Sequence, residues 1–357
     1  MKRKVFPFSN FNILDELNLN NYFKLSEKSF SDAKYYLTKS HSKNLVLGLG
    51  ITDRCNLRCR MCYYKVDEKE NHSSVMSLEL LDKILSSVGS IGVVIIGLEG
   101  EPLTHPNFLE VLKKTSLITD SIYLVTNGLL LTQDIIKELN ENKVKELIIS
   151  CDGSSKNVYE NIRRGGDFGR LSEKIRIAAS CFEGSLKLHA VVSSLNIKDL
   201  IYLPSFASRL GVKKLSFAQL RTCSFSKTNN IVQPSIESLK EFIKKIMLEA
   251  EKNDVHIELE SFFASGELLT FIEDYYKSSE YLHLNTFKVC PSPWNFVSIL
   301  SDGRLFACCG DIEPVILERF SFDDIYNHEL LRKLRYLLLN SKKLPKVCQN
   351  CFIGGEI

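Results

Sequence analysis

The chain has 357 residues, 44% of them apolar, which suffices to bury the core of one large domain and a smaller companion. Its net charge of +3 is small for that length, so charge gives no argument for a nucleic acid or an anionic membrane as the main partner. The basic start, Met1 to Lys4, runs into Phe6-Pro7-Phe8-Ser9-Asn10 instead of a continuous apolar core, and no apolar run approaches a membrane span, which speaks against a signal peptide and a spanning helix.

Residues 1–44 are polar and rich in Asn and Lys, with one helix predicted from about Ser29 to Leu37, and read as a lead-in arm. From Leu45 onward short apolar runs alternate with amphipathic stretches, the pattern of βα units and so of a parallel sheet or barrel. The strands predicted are Leu45–Ile51, Val93–Leu98, Ser121–Val125, Glu146–Ser150, Lys187–Val192 and Lys214–Gln219, with Val255–Glu260 as a further one. Helix starts are marked by Ser77 before Leu78, Leu80 and Leu81, and by Thr132 before Ile135, Ile136 and Leu139, because a short hydroxyl side chain accepts a bond from an orphan N–H of the first turn. Ser235 to Asn253 reads as a long amphipathic helix, and Ser261 to His283 as a bridge to the tail.

Directly after the first strand come Cys55, Cys59 and Cys62, spaced C-x3-C-x2-C. Three clustered thiolates suit a [4Fe–4S] cubane, filling three of its irons and leaving one open for a substrate or cofactor. Structural zinc fits a lone triplet poorly, since such sites close with four ligands. A second group lies in the tail: Cys290, the pair Cys308-Cys309, and Cys348-x2-Cys351, around a predicted hairpin with an Asp302-Gly303 turn. Four thiolates there would close either an iron–sulfur or a zinc site. Eleven cysteines grouped in this way, without a secretion signal, point to a reducing cytoplasm.

In parallel α/β barrels ligands gather at the C-terminal ends of the strands, and polar motifs follow the predicted strands here. They are Gly97-Leu98-Glu99-Gly100-Glu101-Pro102, Thr126-Asn127-Gly128, Ser150-Cys151-Asp152-Gly153, Tyr159-Glu160-Asn161-Ile162-Arg163-Arg164, Ser193 to Asp199, and Gln219 to Cys223. Asn127 and Ser150 carry hydrogen-bonding groups suited to a ligand. Taken singly, Asn-Gly and Asp-Gly are also ordinary turn pairs, and His105 reads as a turn-packing residue.

In order and spacing these motifs resemble the radical SAM superfamily. The resemblance implies a partial (β/α)6 TIM-type barrel over residues 45–260, a bridging segment 261–286 and a small C-terminal α+β Twitch domain, the shorter form of SPASM, over 287–357. It implies a [4Fe–4S] cluster on Cys55, Cys59 and Cys62 whose open iron binds the amino and carboxylate groups of S-adenosylmethionine. The reduced cluster then cleaves the sulfonium, and a 5′-deoxyadenosyl radical takes hydrogen from the substrate. On this pattern Gly100 and Glu101 meet the methionyl ammonium, Asn127 and Ser150 lie near the ribose and methionyl groups, and Asn196 neighbours ribose or adenine. Arg163 either grips the cofactor carboxylate or makes a surface pair at a helix end. Met61 stands where relatives often carry an aromatic residue, with Tyr63 and Tyr64 just after, so several side chains compete to pack the adenine. In the tail, Gly303 with four residues between it and Cys308 selects Cys308 over Cys309, giving Cys290, Cys308, Cys348 and Cys351 as ligands of one auxiliary [4Fe–4S] cluster.

The implied activity is oxidation or epimerisation of a peptide or of a small polar metabolite such as a sugar or aminocyclitol, with a reducing donor such as flavodoxin or ferredoxin. Cys223, at the end of the sixth strand, is either the hydrogen-atom donor an epimerase needs or a buried thiol. Some relatives that modify peptides carry an N-terminal recognition domain, and residues 1–44 are too few for a complete one, which weakens the peptide reading without excluding it. The rival reading is a non-catalytic iron–sulfur or zinc protein on the same scaffold, which intact Glu101 and Asn127 argue against.

Overall fold

The computed structural model describes residues 45–62, 74–220, 231–259, 268, 270–272, 274, 279–284, 292–306 and 315–340. The helix expected near Ser29, the adenine candidates Tyr63 and Tyr64, Cys223, and the four tail ligands Cys290, Cys308, Cys348 and Cys351 lie outside the described residues.

Strands form where the apolar runs predicted them. They are β1 (Val46–Leu49), β3 (Val93–Ile96), β4 (Ile122–Thr126), β5 (Val144–Ser150), β7 (Ser185–Val192), β8 (Lys214–Gln219) and β9 (His256–Leu259), with the two-residue β2 (Arg58–Cys59) and β6 (Arg163–Arg164) set apart from them. The tail contributes β10 (Leu282–Leu284), β11 (Phe296–Ile299), β12 (Arg304–Phe306) and β13 (Val315–Ile316). One sheet of eleven strands runs in the order β10-β9-β8-β7-β5-β4-β3-β1-β11-β12-β13, parallel from β10 through β11. It curves as an open, partial barrel with β10 and β13 at its edges.

The outer face of the sheet is covered by α1 (Leu78–Val88), α2 (Phe108–Ser116), α3 (Gln133–Glu141), α4 (Lys156–Ile162), α5 (Phe168–Cys181), α6 (Leu203–Arg209) and α7 (Ile236–Asn253). Ser77, Thr132 and Ser235 cap α1, α3 and α7 by accepting from the backbone N–H three residues on. Each helix turns one apolar stripe inward, for example Leu81, Ile84, Leu85 and Val88 of α1, against sheet residues such as Leu47, Leu49, Val94 and Ile96. Burying a side chain of this size contributes roughly 1.5–3 kcal/mol, so the many such residues dominate stability. The tail helices are α8 (Ser292–Asn295), α9 (Phe322–Tyr326) and α10 (Glu329–Asn340). Arg335 of α10 is buried and donates to the Pro293 carbonyl (2.6 Å) and to Asn327 Oδ1 (3.0 Å), fastening α10 to α8.

Two features of the tail differ from the expected division. Strand β11 pairs in parallel with β1, so the tail adds directly to the core sheet, and β12 returns antiparallel through the Asp302-Gly303 turn, where Gly303 adopts φ 85°. The segment expected only to bridge contributes β10 along β9. Its run Leu282-His283-Leu284 is too short to stand out in the sequence, and its pairing depends on a distant partner.

Candidate functional site

The cysteine loop leaves β1 at the C-terminal edge of the sheet and is pinned at several points. Thr52 Oγ1 donates to the Ser74 carbonyl (2.9 Å), Leu57 inserts its side chain into the core with no exposure, and Arg60 N–H donates to the Ile162 carbonyl (2.8 Å). The β2–β6 ribbon sets Cys59 opposite Arg163 and Arg58 opposite Arg164. Cys55, Cys59 and Cys62 are all free thiols of intermediate exposure. Burial pushes Cys59 up to about 11; Arg163 opposes that rise, while Cys62, Asp152 and Cys55 add to it by repulsion. Left to itself this thiol stays protonated at neutral pH, because burial disfavours the thiolate. Such a set fits a multi-iron cluster that displaces the protons and spreads the charge. Among the described residues no group of three His, Cys, Asp or Glu side chains is arranged to hold a single metal ion.

Behind the loop stands Glu101. Gly100 adopts φ 55°, and a Cβ there would lie 2.3 Å from the Thr52 carbonyl oxygen and 2.5 Å from that of Arg54, so only glycine lets the two loops pass. Glu101 N–H donates to the Arg54 carbonyl (2.7 Å). The Glu101 carboxylate, 1% exposed, accepts from Thr126 Oγ1 (2.6 Å), Asn127 N–H (2.7 Å) and Leu103 N–H (3.2 Å). Asn127 in turn donates from Nδ2 to Asn56 Oδ1 (2.8 Å), inside the cysteine loop. Burial raises the Glu101 carboxyl above its ordinary range, against the pull of these donors. Glu101 and Asn127 therefore tie the loop after β3 and the end of β4 to the cysteine loop through this chain of bonds.

Asp152 is a node that sequence reasoning passed over as half of a turn pair. It has no exposure; its Oδ2 accepts from Arg163 Nε (2.5 Å) and its Oδ1 from Val191 N–H (2.7 Å). Arg163 also points Nη1 at Cys59 Sγ, 3.9 Å away. Its helix-end pair is thus buried, not on the surface. Asn196, expected beside ribose or adenine, spends its polar atoms within the protein. Nδ2 donates to the Asp152 (3.1 Å) and Val191 (2.9 Å) carbonyls, and Oδ1 accepts from Ser193 N–H (2.8 Å) and Oγ (3.0 Å). His105 packs in its turn, bonding the Met76 carbonyl through Nε2 (2.9 Å) and accepting from Asn107 N–H at Nδ1 (3.0 Å). Glu99 is buried and accepts from Ser301 N–H (2.8 Å), tying the loop after β3 to the turn of the tail hairpin. Asn56 gave no sequence signal beyond its polarity, and Glu99 stood in the Gly97–Pro102 motif without a role of its own.

Comparison with known proteins adds two family models and several relatives. The radical SAM superfamily model matches residues 49–203, and an iron–sulfur cluster-binding domain, SPASM, matches residues 290–352. The first covers the cysteine loop and every motif from Gly97 to Asn196; the second begins at Cys290. The chain belongs to the radical SAM superfamily. GTP 3′,8-cyclase of Clostridium botulinum is 27% identical over 312 residues, 85% of this chain and 92% of that protein. A tungsten-containing aldehyde ferredoxin oxidoreductase cofactor-modifying protein of Pyrococcus furiosus is 27% identical over 272 residues, 73% of this chain and 70% of that protein. Among solved structures, Streptococcus suis SuiB bound to the precursor peptide SuiA superimposes with TM-score 0.66 at 15% identity, covering 99% of this chain and 77% of that one. anSMEcpe with bound AdoMet gives 0.62 at 19% identity, covering 87% and 85%. These two similarities establish the fold. The two domains imply a SAM-binding [4Fe–4S] cluster and auxiliary iron–sulfur clusters.

The lumen of this radical SAM core carries several polar groups among apolar ones. Leu124, Leu147, Ile149, Leu188 and Ala190 face the helices, and the alternate positions turn Tyr123, Glu146, Ser150, Lys187, His189 and Ser216 inward. Lys187 Nζ lies 2.5 Å from Glu146 Oε1 and 2.5 Å from Glu258 Oε2, and His189 Nδ1 lies 2.9 Å from Ser216 Oγ. Below this triad a cavity of about 1000 Å³, lined in part by Tyr123, Glu146, Lys187 and Glu258, opens at the N-terminal ends of the strands. Ser150 sits at the other end, beside His189. Among the described residues no helix is long and apolar enough to cross a membrane.

Proposed function

We propose that Cys55, Cys59 and Cys62 hold the [4Fe–4S] cluster that binds S-adenosylmethionine, and that the enzyme abstracts hydrogen from a hydrogen-bonding substrate seated in the barrel. When bound, that pair supplies one-electron cleavage of the sulfonium and the abstracting carbon centre. The observation that carries the reading is the bracing of the cysteine loop: Asn56, Asn127 and Glu101 hold it from one side and the β2–β6 ribbon with Arg163 from the other. Pre-set thiols at the C-terminal ends of the strands leave little reorganisation for cluster assembly. Gly100 lets the two loops pack, and Ser150 is a strand-end hydroxyl on the lumen face beside His189. Asn196 supports Asp152 through its carbonyl.

A small polar metabolite or a peptide side chain is the substrate class. The relatives are what support either class, since Lys187, Glu146 and Glu258 are paired with one another toward the N-terminal ends of the strands, away from the cysteine loop. Curated relatives include GTP 3′,8-cyclases, and solved neighbours include a protein bound to its precursor peptide. Cys290, Cys308, Cys348 and Cys351 are the proposed ligands of one auxiliary cluster, Cys223 the hydrogen-atom donor if the outcome is epimerisation, and flavodoxin or ferredoxin the electron donor, in the cytoplasm.

The test is anaerobic reconstitution with iron and sulfide, followed by reduction and addition of S-adenosylmethionine. The expected result is about eight irons per chain, as two cubanes require, with formation of 5′-deoxyadenosine. Cys59→Ala is expected to lose about half the iron and all deoxyadenosine formation. Deoxyadenosine at the wild-type rate in that variant overturns the assignment. Solvent deuterium in the product, lost in Cys223→Ala, would mark epimerisation.

A further inference from the structure

We propose that the buried Asp152–Arg163 pair sets the reduction potential of the cluster held by Cys59, with Arg163 acting as a positioning charge toward the ligand sulfur. The inference rests on the reading that Cys59 is a cluster ligand. It starts from the ribbon: Arg163 faces Cys59 across the β2–β6 pairing, so the backbone fixes where its side chain begins. The guanidinium is then held at two edges, Nε on Asp152 Oδ2 at 2.5 Å and Nη1 toward Cys59 Sγ at 3.9 Å, with the arginine side chain 11% exposed and Asp152 fully enclosed. Asp152 cannot swing away, because its second oxygen accepts from Val191 N–H at 2.7 Å and its carbonyl from Asn196 Nδ2 at 3.1 Å. Asn196 and Val191 thereby belong to the device that aims the arginine.

Reduction adds negative charge to a cluster, and an N–H donor or cation beside a ligand sulfur stabilises that charge and raises the potential. A neighbouring carboxylate does the reverse. Here the two are joined as an oriented dipole, positive end toward Cys59, in a site where water screens little. The arrangement also separates two roles for Arg163: a clamp on a cofactor carboxylate acts only when S-adenosylmethionine is present, whereas a charge beside Cys59 acts on the cluster without it.

The experiment is a redox titration of the reconstituted enzyme, monitored by electron paramagnetic resonance, in the absence of S-adenosylmethionine. Wild type is compared with Arg163→Lys, Arg163→Gln and Asp152→Asn, and the signal followed is the one missing from Cys59→Ala. At equal iron content, the midpoint is expected to move negative in Arg163→Gln, less so in Arg163→Lys, and positive in Asp152→Asn. Shifts of opposite sign from the two partners are what a merely structural role does not produce. Unchanged midpoints, or shifts of the same sign, overturn the inference. So does an unchanged midpoint in Arg163→Gln with at least tenfold weaker S-adenosylmethionine binding, which would make the arginine a carboxylate clamp. Should Arg163→Gln fail to hold the cluster, Asp152→Asn decides by the sign of its shift. If Cys59→Ala removes no signal, the ligand assignment itself fails, an outcome distinct from unchanged midpoints in the other variants.

Discussion

Glu101→Ala removes a carboxylate that accepts from Thr126 Oγ1, Asn127 N–H and Leu103 N–H. Asn127 is 5% exposed and Thr126 2%, so water does not readily replace the lost acceptor. Stranding a buried donor costs about 1–3 kcal/mol. Two such donors give about 2–6 kcal/mol, a large part of the 5–15 kcal/mol by which domains are typically stable. Glu101→Gln keeps one oxygen but sets an NH2 against one of the donors, and is expected to cost about 1–3 kcal/mol. Because Asn127 holds Asn56 in the cysteine loop, the damage should also appear as lost iron, more in the alanine than in the glutamine variant. Denaturant unfolding of the anaerobic apo protein measures the first effect, and iron analysis after reconstitution the second. A Glu101→Ala protein within about 0.5 kcal/mol of wild type, the range of an uninvolved surface change, and with full iron content would refute the bracing role.

Lys187→Met leaves Glu146 and Glu258 facing each other in the lumen, and breaking a buried pair from one side costs about 3–5 kcal/mol; adding Glu146→Gln should recover part of it in the same unfolding assay. Gly100→Ala meets the Thr52 and Arg54 carbonyls at once, so iron retention should fall well below wild type even where circular dichroism is unchanged. Cys151 is fully buried, its thiol pushed up to about 12 by burial, so Cys151→Ala should keep the iron content that Cys59→Ala loses. Burial raises the Glu99 carboxyl above its ordinary 4.5. Its stabilising contribution is therefore full below pH 4.5 and is lost as pH rises through the raised folded-state value. Glu99→Gln, which cannot ionise, should show a shallower fall of unfolding midpoint over that window, and an identical pH profile in both proteins would refute the assignment.

Much of the core was legible in the residues. Continuous apolar runs such as Val93 to Ile96 mark strands buried on both faces, and Ser77, Thr132 and Ser235 announce helix starts through a bond that spans only three residues. The Asp302-Gly303 hairpin needs one residue in the left-handed region, which glycine marks. The charged lumen was not legible. Lys187 alternates with apolar neighbours just as solvent-facing positions do, Glu146 follows the charged Lys145, and nothing local distinguishes the inside of a barrel from the outside of a sheet.

The sequence by itself determined the chemistry and the local elements: three cysteines at cluster spacing, polar motifs after successive strands, and caps and turns whose bonds close over a few residues. Only the tertiary structure decided which polar groups meet one another. Glu101 reaches Asn127, Asn127 reaches Asn56, Arg163 reaches Cys59, and Glu99 reaches Ser301 across 26, 71, 104 and 202 residues. Contacts at such separations follow from the order of strands in the sheet and the pairing of β1 with β11. A carboxylate's role depends on which donors that packing places around it.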